Sequence, residues 1–135
     1  MAFQLSMLAR NNILDGLETF IGTSAVLKIR TGAPPATCDT ADSGTVLATL
    51  SLPSDWMAVA ANGTKAKSGT WEDASADNTG TAAHWRIYAS DGTTCHMQGT
   101  ITATGGGGDM TLITTSITSG QPITITGFSL TAPGA

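Results

Sequence analysis

The chain has 135 residues, the usual size of one domain; 12% of them are charged and 41% are hydrophobic. This composition excludes disorder, which requires a high net charge and few apolar residues. A formal net charge of −4, with only six Lys and Arg spread along the chain, provides no basic patch. We therefore expect neither nucleic acid nor a membrane surface as a partner.

Residues 1–22 predict an N-terminal arm and a helix. From Leu5 to Ile21 one stripe of the helix recurs at intervals of three and four, and Gly22 supplies a stop. The stripe comprises Arg10, Ile13, Leu14, Leu17, Phe20 and Ile21, with Asp15 and Glu18 on the other side. We expect Leu14, Leu17 and Ile21 to pack on the chain's own domain. The arm is expected to contact a partner, through a candidate interface of Phe3, Leu5 and Leu8.

Residues 23–135 predict a β domain, because the apolar period changes from 3.6 to 2 after Gly22. Turn signals such as Asn62-Gly63 separate short runs of alternating residues. Gly105–Gly108 predicts a flexible turn between two strands. The fold class is mainly β: an antiparallel β-sandwich or jelly-roll-like domain of about seven or eight short strands with one N-terminal α-helix. The clearest predicted strands are 25–30, 45–52, 83–88, 95–103, 110–113 and 121–131.

The cysteines, Cys38 and Cys95, are far apart in sequence. Residues 1–10 lack the pattern of a signal peptide, and no stretch approaches the roughly 20 apolar residues of a membrane span. We therefore expect synthesis in the cytoplasm and two reduced, small core residues. A disulfide formed after cell lysis stays open as an alternative.

The two histidines, His84 and His96, fall on strands predicted to be neighbours. A zinc site needs three or four closely placed ligands, and Cys95 and His96 point to opposite faces of their strand. Nothing in the local sequence activates the Cys95 thiol toward His84. We predict ordinary surface or hydrogen-bonded histidines, no metal site, no cofactor and no catalytic residues.

Two further groups of residues invite a functional interpretation. The carboxylates Glu72, Asp73 and Asp77 lack the spacing of a calcium loop and predict a solvated loop. The three tryptophans, Trp56, Trp71 and Trp85, are expected to be core and loop-anchoring residues. The alternative is a carbohydrate-binding module, which would need Trp56 or Trp71 exposed, beside Glu72 or Asp73 as acceptors for sugar hydroxyls.

Five segments stand out in the sequence: LKIRTGAPP at 27–35, LPSDW at 52–56, GTWEDASAD at 69–77, TCHMQGT at 94–100 and GGGGDM at 105–110. They resemble segments of a family of short, mostly uncharacterised virion-associated proteins of tailed bacteriophages and prophages. The resemblance covers nearly the whole chain, and the family provides no catalytic or ligand-binding residues to transfer. It therefore implies a setting, the virion, reached after synthesis in the host cytoplasm.

Within a virion, a small, weakly charged β domain suits a capsid decoration or cement protein. Such proteins bind the shell as symmetric homo-oligomers, often trimers, and stabilise it by protein–protein contact. A neck or tail structural component is the alternative, because composition does not separate the two. The partners implied are other virion proteins and further copies of the chain.

Overall fold

The computed structural model describes residues 3–135, which form one helix and ten strands. The helix α1 spans Met7–Ile21 and precedes every strand, as the sequence predicted. The strands are β1 Val26–Arg30, β2 Val46–Ser51, β3 Thr64–Ala66, β4 Glu72–Asp73, β5 Gly80–Thr81, β6 His84–Tyr88, β7 Cys95–Ala103, β8 Met110–Leu112, β9 Ser116–Ile117 and β10 Ile123–Thr131. The mainly β fold class with one N-terminal helix is confirmed.

Eight strands form one sheet, in the order β2-β1-β6-β7-β8-β10-β3, and β4 pairs with the beginning of β10. The strand β10 serves three partners in turn: residues 123–124 pair with β4, 125–128 with β8 and 129–131 with β3. Because β4 also contacts β2, the sheet curls round and encloses the core. The strands β5 and β9 form a separate antiparallel pair.

The core is built around aromatic side chains. Trp71 lies with its ring centroid 5.4 Å from that of Phe128, and Trp85 meets the same phenylalanine edge-on at 5.1 Å. Trp56 packs 6.0 Å from Trp71. All three tryptophans are buried, so the prediction that they are core residues is confirmed.

One pairing departs from an antiparallel sheet. The strand β8 runs parallel to β7, with Ile101 opposite Met110, while the other pairs in the sheet are antiparallel. Parallel neighbours ordinarily need a crossover of a dozen or more residues. Here the chain returns between Ala103 and Met110, through the glycine run Gly105–Gly108.

The glycine run lies against β7, and because β8 runs parallel to β7 the turn is not the hairpin that was expected. Gly108 N donates to Thr102 Oγ1 at 3.0 Å, and Asp109 Oδ2 accepts from Thr100 N at 3.0 Å. A Cβ atom at Gly106 or Gly108 would lie within 2.9 Å of Thr102. Only glycine permits so close a return, and this is why so short a parallel connection is possible.

Candidate interface and the buried polar layer

The three candidate interface residues lie in different surroundings. Phe3 and Leu8 are 70% and 71% exposed. Leu5 is half-buried: its N–H donates to Gly134 O at 2.9 Å, so it contacts the chain's own C-terminal segment. That Phe3 and Leu8 contact a partner stays a prediction, and Leu5 must first leave Gly134 to do so.

The helix stripe was predicted only in part. Leu14 and Ile21 are buried and Leu17 packs on the core, but Ile13 and Phe20 are 46% and 71% exposed. The polar side of the helix is hydrogen-bonded to the segment 57–63, a contact that the sequence did not show. At its N-terminus Ser6 Oγ accepts from Ala9 N, as an N-cap should.

Three polar side chains attach α1 to the segment 57–63, which runs beside β3. They are spaced four and three apart, on one face of the helix, and their partners are backbone N–H groups three apart. This contact gives hydrogen-bond acceptors to three backbone N–H groups of an irregular segment. Asn11, Asp15 and Glu18 accept from Gly63 N, Ala60 N and Met57 N at 2.9, 2.9 and 3.1 Å.

Lys65 of β3 forms ion pairs with two of the three helix side chains. Its side chain is 1% exposed, and Nζ lies 2.6 Å from Asp15 Oδ1 and 2.8 Å from Glu18 Oε1. Burial alone would lower the pKa of Lys65, but the hydrogen bonds to the two carboxylates outweigh it and the pKa is raised. Asp15 and Glu18 lie some fifty residues from Lys65, so no local signal links them.

A second polar assembly lies on the opposite face of β1, β6 and β7 from the core. Trp85 and Ile87 of β6 face inward, so their neighbours along the strand face outward. The long loop 31–45 covers these outward side chains, and every residue of β6 is therefore buried. Arg30 of β1 and Gln98 of β7 lie beside them, opposite His84 and Arg86. We call these outward side chains together the polar layer: Arg30, His84, Arg86, Tyr88 and Gln98.

The loop wraps around the guanidinium of Arg86. Its NH2 donates to the backbone carbonyls of Thr37, Cys38 and Thr40, at 3.4, 2.6 and 3.1 Å. Its NH1 pairs with Asp42 Oδ1. The loop thus surrounds a protein cation with oxygen atoms, and Arg86 fixes its conformation.

Asp42 joins the loop to three members of the polar layer. Besides Arg86 it accepts from Arg30 NH2 at 2.9 Å and from Tyr88 OH at 2.7 Å. Burial alone would raise the pKa of Asp42, but these hydrogen bonds and the two guanidinium charges hold it below its ordinary 3.8. Burial raises the pKa of Tyr88, and its bond to Asp42 adds to the effect. At neutral pH the carboxylate is ionised and the phenol protonated.

His84 is a hydrogen-bonded core histidine, one of the two roles predicted. Its Nδ1 lies 2.6 Å from Gly32 O and, facing a carbonyl, must carry the proton. His84 pairs with Thr100, so it lies well along β7 from His96, whose ring meets Phe20 at 4.9 Å. The structure does not bring the two histidines together.

We expect His84 to make stability fall with acidity. Burial lowers the pKa of His84 below its ordinary 6.5, despite the hydrogen bond to Gly32, and the charges of Arg30 and Arg86 lower it further. Its contribution is therefore present above pH 6.5 and is lost as the pH falls through the folded-state pKa, by up to about 1.4 kcal/mol per pH unit. Urea unfolding between pH 7 and 5 measures this. In a His84→Gln variant the free energy of unfolding should fall less between pH 7 and pH 5. An equal pH dependence in the wild type and the variant would contradict the assignment.

Cys38 and Cys95 form a disulfide, so the prediction of two reduced cysteines was wrong. Their Cα atoms are 5.7 Å apart, although 57 positions separate them in sequence. The loop that covers the polar layer brings Cys38 back to the first residue of β7, which the sequence alone did not show. Since Cys95 has no free thiol in this state, the condition for a Cys-His nucleophile is not met.

The prediction that Glu72, Asp73 and Asp77 lie in a solvated loop was wrong for the first two, which form β4 and pair with β10. Asp73 and Asp77 bind the edge strand β2. Asp73 Oδ2 accepts from Thr49 N at 2.9 Å, and Asp77 Oδ2 accepts from Thr49 Oγ1 at 2.8 Å. The Asp73 side chain thereby provides an acceptor for a backbone N–H group of this edge strand. Among residues 3–135, no three His, Cys, Asp or Glu side chains are grouped so as to hold a metal ion.

The surface is more acidic than the net charge indicates. Four of the six basic side chains, Arg10, Arg30, Lys65 and Arg86, are buried, and Lys28 and Lys67 are half-buried. Across the described part of the chain, every exposed charged residue is acidic. These residues are Asp39, Asp42, Asp55, Glu72, Asp77, Asp91 and Asp109.

Two further observations bear on the alternatives. Trp56 and Trp71 have no exposed surface, so in this conformation neither provides the stacking platform that a carbohydrate-binding module would need. Within residues 3–135 no helix has the length and apolar character of a membrane span. No protein family, curated protein or solved structure matches the chain.

Proposed function

We propose that the chain is a structural protein of a tailed-phage virion, specifically a capsid decoration protein that stabilises the shell by protein contact. The setting comes from the sequence resemblance. The observation that carries the mode of action is the exposure of Phe3 and Leu8, large apolar side chains at one end of α1, on a surface whose exposed charged side chains, in the described residues, are all acidic. Apolar groups in that position stabilise a complex when a partner covers them.

The free energy expected from burying these two side chains suits a protein that acts in many copies. Burying a large apolar side chain contributes roughly 1.5–3 kcal/mol, and Phe3 and Leu8 still present about 70% of their surface. The contact of one copy is therefore modest. A shell that binds many copies gains stability by mass action, because each copy binds only the assembled state.

The acidic surface supports partners that are proteins. It repels phosphate backbones and anionic lipid headgroups. It also disfavours contact between copies except through uncharged segments, and the residues from Phe3 to Ala9 are such a segment. We propose a homo-oligomer, a trimer being a closed form that suits a symmetric shell.

The test measures binding to shells that lack this protein. Replacing both Phe3 and Leu8 by Ser should reduce shell binding at least tenfold without loss of fold, because both side chains are exposed. Val59→Ser is the matched control, since Val59 is 82% exposed and lies outside the arm. Co-sedimentation with shells gives the affinity, and circular dichroism checks the fold.

Three outcomes count against the proposal. Equal binding by the double variant and the control would remove the arm from the interface. Binding to purified tails or necks, and not to shells, would move the protein to the alternative location in the virion. Failure to bind any virion part would overturn the structural role.

A further inference from the structure

The sheet has a gap between β7 and β10. Both strands have nine residues, but β8, which lies between them, has three. It pairs only with residues 101–103 of β7 and 125–128 of β10. Within residues 3–135, no strand therefore pairs with residues 95–100 or 129–131 on the side where β8 would continue.

The backbone of β10 directs hydrogen-bonding groups into this gap. Phe128 O accepts from Lys67 N, and Ala132 N donates to Gly63 O, so the even-numbered residues bond toward β3. In an antiparallel ladder the alternate residues point their N–H and C=O groups the other way. Ser129 and Thr131 consequently face the gap.

The gap has the width and lining for one extended chain. At the end of β8 the flanking strands are two strand spacings apart, roughly 9.6 Å. A cleft of about 430 Å³ lies there. Its apolar wall consists of Trp85, Met97, Phe128 and Leu130, and its rim is polar. An inserted strand would pair its backbone and place alternate side chains against the wall.

We propose that the N-terminal arm of a second copy, residues 3–5, inserts into this gap as a strand. The inference rests on the proposed function and divides its two apolar residues: the second copy covers Phe3, and Leu8, outside the inserted segment, stays available to the shell. Phe3 and Leu5 alternate with Gln4, so in an extended arm both apolar side chains fall on one face. Phe3 is already 70% exposed, and Leu5, which is half-buried, would exchange its hydrogen bond to Gly134 for the contacts of the gap.

Charge favours this occupant over other parts of a second copy. Among residues 3–135 the exposed charged side chains are all acidic, so the surfaces of two copies carry like charges and repel each other. The arm has no charged residue. The one carboxylate beside the gap, Asp109, is already engaged with Thr100 N and Oγ1.

The geometry also determines the kind of assembly. The arm and the gap are different surfaces, so the contact is head-to-tail unless two copies exchange arms reciprocally. A head-to-tail contact forms a ring when its rotation closes. Both a trimeric ring and an arm-exchanged dimer follow from the same insertion.

Ser129→Pro tests the insertion in the full-length chain. Proline removes the N–H that faces the gap and leaves the bonds of Phe128 and Leu130 toward β3 in place. Ser129→Ala keeps that N–H and is the control. Light scattering over a range of concentrations should show oligomers for the wild type and Ser129→Ala, and monomers for Ser129→Pro. Hydrogen exchange of the unmodified chain is the second measurement: the Ser129 and Thr131 amides should become at least tenfold more protected as oligomers form.

The outcomes separate this inference from the proposed function. Oligomers of Ser129→Pro as stable as those of Ser129→Ala, a wild type that stays monomeric, or no concentration-dependent protection would overturn the inference. If a monomeric wild type still bound shells, the decoration role would stand and the gap would accept no second copy. If the protein formed oligomers through the gap but did not bind shells, only the decoration role would be contradicted.

Discussion

Removing the Cys38–Cys95 disulfide should lower the free energy of unfolding by about 4 kcal/mol, the value that chain entropy gives for a closed loop of this size. The bond spans 57 positions and ties the covering loop to the first residue of β7. Without it the unfolded chain gains freedom, while Arg86 and Asp42 still hold the loop in the folded state. Urea unfolding of the oxidised chain and of a C38S/C95S double variant measures the difference.

Reduction provides the matched control for this prediction. A reducing agent should lower the stability of the wild type to that of the double variant and leave the double variant unchanged. A difference below about 1 kcal/mol would contradict the prediction. It would mean that the loop is held almost entirely by the polar layer, or that the unfolded chain keeps the two cysteines close together.

Sequence periodicity predicted the elements well where one face of a strand meets the core. In β1, Leu27 and Ile29 are fully buried, as their alternation with charged residues predicted. The helical period from Leu14 to Ile21 likewise placed α1 on the domain. These patterns are local, because each depends only on which residues face an apolar interior.

The polar layer could not be predicted in this way. Arg30 and Arg86 alternate with apolar residues, which is the usual pattern of a solvent-facing side, yet the loop 31–45 buries them. Their compensating carboxylate, Asp42, lies in an irregular segment 12 and 44 positions away. Pairings at such separations leave no periodic signal, and the disulfide was missed for the same reason.

The candidate interface shows the same limit. The sequence identified Phe3, Leu5 and Leu8 as an apolar arm, but not the contact of Leu5 with Gly134 at the opposite end of the chain. It also predicted a strand at 110–113 without its parallel pairing to β7. That pairing depends on a glycine run lying against Thr102, which composition had indicated only as a flexible turn.

Replacing Asp42 by Asn should lower the free energy of unfolding by about 2–3 kcal/mol. Breaking a buried ion pair from one side ordinarily costs about 3–5 kcal/mol, because a charge stays buried without a partner. The side chains of Arg30 and Arg86 are 7% and 1% exposed, and both would lose their carboxylate. The expected value is below that range because the Asp42 side chain is 36% exposed, and solvent screens it.

Asp39→Asn is the control for Asp42→Asn, since Asp39 is an exposed carboxylate in the same loop. Its effect on urea unfolding at pH 7 should stay within about 0.5 kcal/mol. Acid adds a second criterion, because the pKa of Asp42 lies below 3.8 in the folded chain. The stability that its charge provides is present above pH 3.8 and is lost as the pH falls through that lowered pKa, so the wild type should approach the variant there. Equal losses for Asp42→Asn and Asp39→Asn would show that the carbonyls of the loop alone hold Arg86.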